Sequence, residues 1–423
     1  MPFKKHGRTY DLVLFGATGY TGSYTVEYIA KNLPTDLKWA IAGRSQDKLA
    51  KVAAEIKEIN PDRLQPAIEV CSVNEGELAQ LAKKTFVLIS TVGPYGTYGE
   101  PAFKACAENG THYVDVTGEV PFVAKMIRKY EAAAKASGAL MFPQSGIESA
   151  PADIAAAEIA RINRTQLQAK TRDVTASIRI KALPSGGTLD TVLTIFDNFS
   201  LSDLRSSMAP YALSPVSRPS GHRGSVPWLS YLTGGLRVRH LGQLTTSMSG
   251  TTNAAQVERT WGLLQSLPGR KAEDYGSNFS FMEYSRARNW LQGAQIHWML
   301  TLGGFLLATF PPFRWLAKRY VFAPGTGPTR EEARKNVIEY RAVGTPDIEG
   351  EAKPSKAAFT SATYRGGMYD LTGVLASEAA LAILKDDLKL EEGGIYTPSF
   401  LGQGFIDRIG EAGFKYETKL IDA

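Results

Sequence analysis

Three glycines, Gly16, Gly19 and Gly22, follow an apolar run at 12–15, with two residues between each pair. A glycine at a strand end permits a tight turn. A second lets the backbone come close to a diphosphate, and a third lets the following helix pack closely on the strand. Free N–H groups at the start of that helix would receive the phosphate charge. The spacing is GxxGxxG rather than the commoner GxGxxG, but the strand–turn–helix context is the one the motif requires. Gly16, Ala17, Thr18, Gly19, Tyr20, Thr21 and Gly22 are therefore expected to bind a dinucleotide. The bland alternative is a strand-to-helix turn with no ligand.

The end of the next apolar run identifies the dinucleotide. A chain selecting NAD places Asp or Glu there to hold the ribose 2′-hydroxyl. Here the residues are Gly43-Arg44-Ser45, with Lys48 one turn further on. A guanidinium offers several donors in one plane and suits a 2′-phosphate, so NADPH is the expected cofactor. The alternative is an Arg44 that is simply solvated or stacks on adenine.

A third group follows a fourth apolar run: Ser90, Thr91, Val92, Gly93, Pro94, Tyr95, Tyr98 and Gly99. A loop leaving the carboxyl edge of a parallel sheet lies beside the cofactor. Ser90 to Pro94 are expected to line the nicotinamide side. Tyr95 and Tyr98 are candidates to hydrogen-bond developing charge or relay a proton; otherwise they are packing residues. Asp115, Gly118 and Glu119 leave the following strand at the same edge. Asp115 joins the catalytic candidates, and Gly118 and Glu119 the cofactor contacts. For the two acids, helix capping is the competing reading. No metal site is expected.

These residues need a frame. Strand-like runs alternate with amphipathic helical runs from residue 10 to 145, which predicts an α/β domain with a doubly wound parallel sheet of Rossmann type. Domain 1–150 would bind the dinucleotide. From about residue 172 the pattern changes to short strands and helices, a second α+β domain over 151–375 expected to carry substrate and dimer contacts. Residues 205–225 read as a long loop. "VIEYRAVG" and "KAAFTSATYRG" read as antiparallel strands joined by a charged turn. Residues 376–423 are expected to return to the first domain.

Composition excludes several classes. The chain has 423 residues, 43% of them hydrophobic, with 48 basic and 42 acidic residues. That is a globular balance, and scattered Lys and Arg give no nucleic-acid footprint. Two cysteines, Cys71 and Cys106, suggest a reducing compartment. The basic opening "MPFKKHGRTY" lacks the apolar core and cleavage site of a signal peptide, so a cytoplasmic face is expected. Residues 298–310, "WMLTLGGFLLATF", are the most apolar stretch, too short for the roughly 20 residues a membrane span needs. Within the flanking insert 290–320, aromatic and basic residues are placed as in interfacial segments. A buried helix or dimer contact, a peripheral anchor on a membrane or lipid droplet, and the wall of an acyl-chain channel all fit.

The chain resembles the saccharopine dehydrogenase-like oxidoreductase family, including the trans-acting enoyl reductases of mycobacterial lipid synthesis. The resemblance rests on "LVLFGATGYTG", "AIAGRS", "STVGPYGTYGEPAFKACAENGTHYVDVTGE", "GIESAPADIAA", "PGTGPTREEARK" and "GGIYTPSFLG". It implies a Rossmann domain, a saccharopine-reductase-like second domain, a C-terminal return, NADP(H), and links to membranes or lipid droplets. One departure is "GIESAPAD", where relatives read closer to "GFDSxPxD"; Ile147 and Glu148 change the shape there while the charge is kept. The expected function is NADPH-dependent reduction of an unsaturated, lipid-like substrate, as an enoyl reductase does. The alternatives are an imine or carbonyl reductase, or a lipid-surface protein that binds NADPH without turnover.

Overall fold

The computed structural model describes residues 2–180, 193–217, 228–320, 329–350 and 354–423. The first sheet is built from β1 (Tyr10–Phe15), β2 (Trp39–Gly43), β3 (Ala67–Val70), β4 (Thr85–Ser90), β5 (His112–Asp115) and β6 (Leu140–Phe142). Their order is β3-β2-β1-β4-β5-β6, and every pairing is parallel. The chain winds outward from β1 to β3, crosses back to β4, and then winds the other way. Ligands bind at the reversal between β1 and β4, outside the carboxyl ends of the strands. Helices cover both faces, which explains why Leu12 to Phe15 and Trp39 to Gly43 are buried throughout rather than alternating.

The second sheet contains β7 (Lys170–Ile180), β8 (Leu236–Val238), β9 (Gly242–Thr246), β10 (Ser280–Arg286), β11 (Val337–Asp347) and β12 (Lys356–Arg365). The order is β12-β11-β7-β10-β9-β8, antiparallel except for the β7–β10 pair. β11 and β12 pair antiparallel, as their alternating residues predict. Helices Ala150–Gln166 and Gly250–Ser266 pack on this sheet, placing Ile159 and Trp261 in one core with Val174, Ile338 and Tyr340. The expected loop over 205–225 is only partly seen. Helix Leu201–Ser207 runs into it, turns follow to residue 217, and 218–225 lie outside the described residues. So do 324–328, the "PGTGP" segment.

The return begins earlier than 376. Helix Met368–Lys385 is continuous across that boundary and packs on helix Tyr20–Asn32, β4 and β5. The contact is close because Gly373 leaves room: a Cβ there would lie 3.1 Å from the Tyr24–Thr25 backbone. Nor is the return confined to the first domain. β13 (Gly394–Ile395) adds to β6, whereas β14 (Tyr416–Asp422) pairs with β12 in the second sheet. Arg259 reinforces this joint. It donates to Leu213 O and Ile395 O and pairs with Glu131 at 2.9 Å, tying helix Gly250–Ser266 to the first domain.

Helix Trp290–Thr309 is tied to β9 through its first two turns. Thr245 Oγ1 donates to Gly293 O at 2.6 Å, and Thr246 Oγ1 bonds His297 Nδ1 at 2.7 Å. Beyond that, Trp298, Met299, Leu302 and Phe305 are exposed, as are Trp228 and Tyr231 of the neighbouring helix Trp228–Thr233. Of the sequence-based readings, a buried core helix does not describe this segment. No helix among the described residues is long and apolar enough to cross a membrane.

Candidate functional site

The glycine turn sits at the reversal. Gly16 has a φ of +95°, a conformation open to glycine but strained for residues with a Cβ. Its N–H donates to Ala42 O and its carbonyl accepts from Gly19 N–H, both at 2.9 Å. A Cβ on Gly22 would lie 2.1 Å from Gly16 O, so only glycine lets the helix approach the turn this closely. A Cβ on Gly16 would lie 2.7 Å from Thr91 Oγ1 and 2.8 Å from Val92 Cγ2. The loops leaving β1 and β4 thus touch across the crevice, and Thr91 Oγ1 bonds Phe15 O and Gly16 O at 3.2 Å. Gly19 starts helix Tyr20–Asn32 with no side-chain cap, which leaves its first N–H groups for an anion. Tyr20 turns elsewhere and packs edge-on against Tyr369 of the returning helix.

At the end of β2, Ser45 Oγ accepts from Lys48 N–H at 3.4 Å, so its hydroxyl caps helix Gln46–Ile59. Arg44 and Lys48 are exposed. Arg44 makes no side-chain hydrogen bond or ion pair among the described residues, and no carboxylate occupies its position. These groups fit NADPH: an uncapped helix start for the diphosphate, and an unengaged guanidinium for the 2′-phosphate.

Past β4 the loop is held from below. The Gly93–Pro94 peptide is cis, and Tyr95 is buried. Tyr95 OH donates to Ser90 O at 2.8 Å and accepts from Val116 N–H at 3.3 Å, which ties the ends of β4 and β5 together. Glu119 accepts from Tyr95 N–H at 2.6 Å and Gly96 N–H at 2.8 Å, holding the first turn of the short helix Tyr95–Tyr98. Asn198 and Phe199 close over the same turn, and Asn198 Nδ2 donates to Thr97 Oγ1 at 2.9 Å. Tyr98, by contrast, is 45% exposed. The two tyrosines named from sequence therefore differ: Tyr95 has its phenol engaged by backbone, and Tyr98 has an open face.

Asp115 is fully buried. Its Oδ1 accepts from Thr117 N–H at 3.0 Å and Gln144 N–H at 2.9 Å. The buried Tyr113 hydroxyl lies beside this carboxyl and favours its charged form. Burial pushes the Asp115 carboxyl up to about 6. Burial also raises Glu119 to about 7, helped by the charges of Asp115 and Glu148 and opposed by its two backbone N–H bonds. The Tyr95 phenol is raised well above its ordinary range by burial, then by the Asp115 charge.

Residues after β6 complete this edge, and sequence reasoning undervalued them. Gln144 is buried at a φ of 58°, an uncommon conformation for a residue with a side chain, and its Oε1 has no partner among the described residues. Glu148 lies over Gly118, where a Cβ would come 1.9 Å from its Oε2. Burial raises its pKa. The available signal was an acid a few residues past a strand that ends at the cofactor edge.

Residues 12–141 match the saccharopine dehydrogenase NADP-binding domain. A protein of Mycobacterium tuberculosis named as a trans-acting enoyl reductase is 29% identical over 97% of this chain and 98% of its own length. A saccharopine dehydrogenase-like oxidoreductase of Bos taurus is 28% identical over 97% of each chain. A lipid droplet localized protein of Caenorhabditis elegans is 40% identical over 34% of this chain and 35% of its own. Among solved structures, saccharopine dehydrogenase (L-Glu forming) of Saccharomyces cerevisiae superposes with a TM-score of 0.58 at 12% identity, covering 97% of this chain and 99% of that one. That likeness establishes the two-domain fold.

Proposed function

We propose that this chain, a saccharopine dehydrogenase-like oxidoreductase with an NADP(H)-binding first domain, reduces a double bond in an unsaturated, largely apolar substrate. One observation carries the reading: the NADP-binding turn and a row of polar strand ends share one crevice, in a chain that also exposes a large apolar helix. Bound NADPH supplies the hydride. The turn from Gly16 to Gly22 holds the diphosphate, Arg44 and Lys48 hold the 2′-phosphate, and Ser90 to Pro94 line the nicotinamide side. Ser45, Gly118 and Glu119 shape these walls.

Tyr95 and Asp115 are assigned to positioning, because their polar atoms are bonded to backbone that fixes the loops. Tyr98 remains a candidate to hydrogen-bond charge that develops on the substrate. The apolar preference is supported by Trp298, Met299, Leu302 and Phe305, which no described segment covers. Contiguous exposed apolar surface of this kind marks an interaction site, and peripheral contact with a lipid surface at the cytoplasmic face is the reading proposed for it. The named activity of the mycobacterial relative favours C=C reduction over C=N or C=O.

The test follows NADPH oxidation against trans-2-enoyl thioesters, cyclic imines and ketones of matched chain length. Turnover is expected with the enoyl thioesters and increases with acyl length. Turnover only with imines or ketones moves the assignment to C=N or C=O. No oxidation in any class, with the cofactor demonstrably bound, overturns the reductase reading.

A further inference from the structure

Four carboxylates gather near the carboxyl ends of β5 and β6 and the start of helix Ala150–Gln166. Three are committed. Asp115 takes Thr117 and Gln144 N–H, and Glu119 takes Tyr95 and Gly96 N–H. Asp153 takes Ser399 N–H at 2.8 Å and the Thr260 hydroxyl. Each therefore holds two or more chain segments together. Glu148 is the exception. It makes no hydrogen bond or ion pair among the described residues, and part of its surface stays open. Its carboxyl passes over Gly118, where the missing side chain leaves it room.

Two further observations mark the edge as built for a ligand. Gln144 Oε1, just past β6, is buried without a hydrogen-bond partner among the described residues. Buried polar atoms are seldom left unpaired. In addition, Gln144 holds a left-handed backbone conformation, and such residues cluster at active sites.

We propose that Glu148 is the catalytic acid of the reduction and donates its carboxyl proton to the substrate atom opposite the one that receives hydride. This rests on the reductase reading above. In the balanced step, the carbon of the double bond gains hydride from NADPH, which leaves as NADP⁺. The π electron pair moves to the partner atom and takes the proton as the Glu148 O–H bond breaks. The Glu148 carboxylate then regains a proton from solvent through its open side. The neighbouring groups that feel its charge are Tyr95, from the loop after β4, and Glu119, at the start of helix Val120–Ser137. On the side of the returning helix its neighbour Ile147 donates to Thr372, an uncharged group. Burial keeps the carboxyl protonated to higher pH than an ordinary Glu, the direction a general acid needs.

The experiment compares wild type with Glu148→Gln, using whichever thioester, imine or ketone the wild type reduces. A positioned acid contributes roughly 10²–10⁴ in rate. The Gln variant is expected to lower kcat by at least about 100-fold and to leave the NADPH dissociation constant within about twofold. It should also abolish the fall of kcat/KM with rising pH that the wild type shows as Glu148 ionises. Difference infrared spectra taken above the pH at which an ordinary Glu ionises should contain a protonated-carboxyl band that the variant lacks, with or without substrate. Gly118→Ala, which pushes Glu148 aside, should lower kcat in the same direction. Unchanged kcat and pH profile in Glu148→Gln, or no difference band, overturns the assignment while leaving the reductase reading intact. Absence of turnover in the wild type overturns the reading itself.

Discussion

Arg44 carries the cofactor preference on one side chain. It is exposed, leaves the end of β2, and has no described partner, so its role must come from a ligand or from none. Hydrogen bonds to charged groups contribute about 1.5–3 kcal/mol, which corresponds to roughly 10- to 100-fold in affinity. Arg44→Ala is expected to weaken NADPH by that factor and NADH by less than about twofold, measured by calorimetric titration. An equal loss for both cofactors would remove the 2′-phosphate role. Glu119 gives a second residue-scale outcome. Its native carboxyl titrates near 7 against 4.5 in the unfolded chain. Between those values the unfolded state has already lost the proton that the native state keeps, so stability falls as pH rises through 4.5 to 7. At about 1.4 kcal/mol per pKa unit this is a loss on the order of 3 kcal/mol. Glu119→Gln should flatten that part of the stability–pH curve in denaturant titrations; an unchanged slope would contradict the assignment. At this scale the glycines and Arg44 were legible because backbone clashes and charge act locally. Tyr95 was ambiguous because its role depends on Ser90 O and Val116 N–H, which come together only when β4 and β5 lie side by side.

Among the elements, the alternation of strands and helices to residue 145 was legible because strands buried on both faces have continuous apolar runs. The position of helix Trp290–Thr309 was not. Its side chains are apolar on every face, so periodicity could not say which face is covered. Thr245 and Thr246 hold the first turns, at Gly293 and His297. The double variant Trp298→Ser/Phe305→Ser is expected to lose most co-flotation with phosphatidylcholine–phosphatidylserine vesicles at physiological salt, with NADPH affinity unchanged. Equal flotation of both proteins, or none by the wild type, would contradict a lipid-facing role. The returning helix was also misjudged, in extent rather than type. Its apolar residues showed a helix, but the close fit at Gly373 against Tyr24 and Thr25 is a tertiary fact.

At the scale of the molecule, the two sheets are bound by a chain end that contributes to both. β13 extends the first sheet and β14 the second, while Arg259 spans the joint. The turn near the start of the chain therefore packs against residues as distant as Thr91 and, through Tyr20, Tyr369. The dinucleotide half of the function was readable because diphosphate recognition is compressed into one turn. The bond reduced was not, since that information lies in residues gathered from several strand ends and from the second domain. The most direct test of the account is transfer of deuterium from each C4-deuterated face of NADPH into a trans-2-decenoyl thioester, read by mass spectrometry. The account predicts one deuterium on the saturated product, from a single face of the cofactor, with a solvent proton at the adjacent carbon. Unlabelled product, or no product while NADPH is bound, would contradict it.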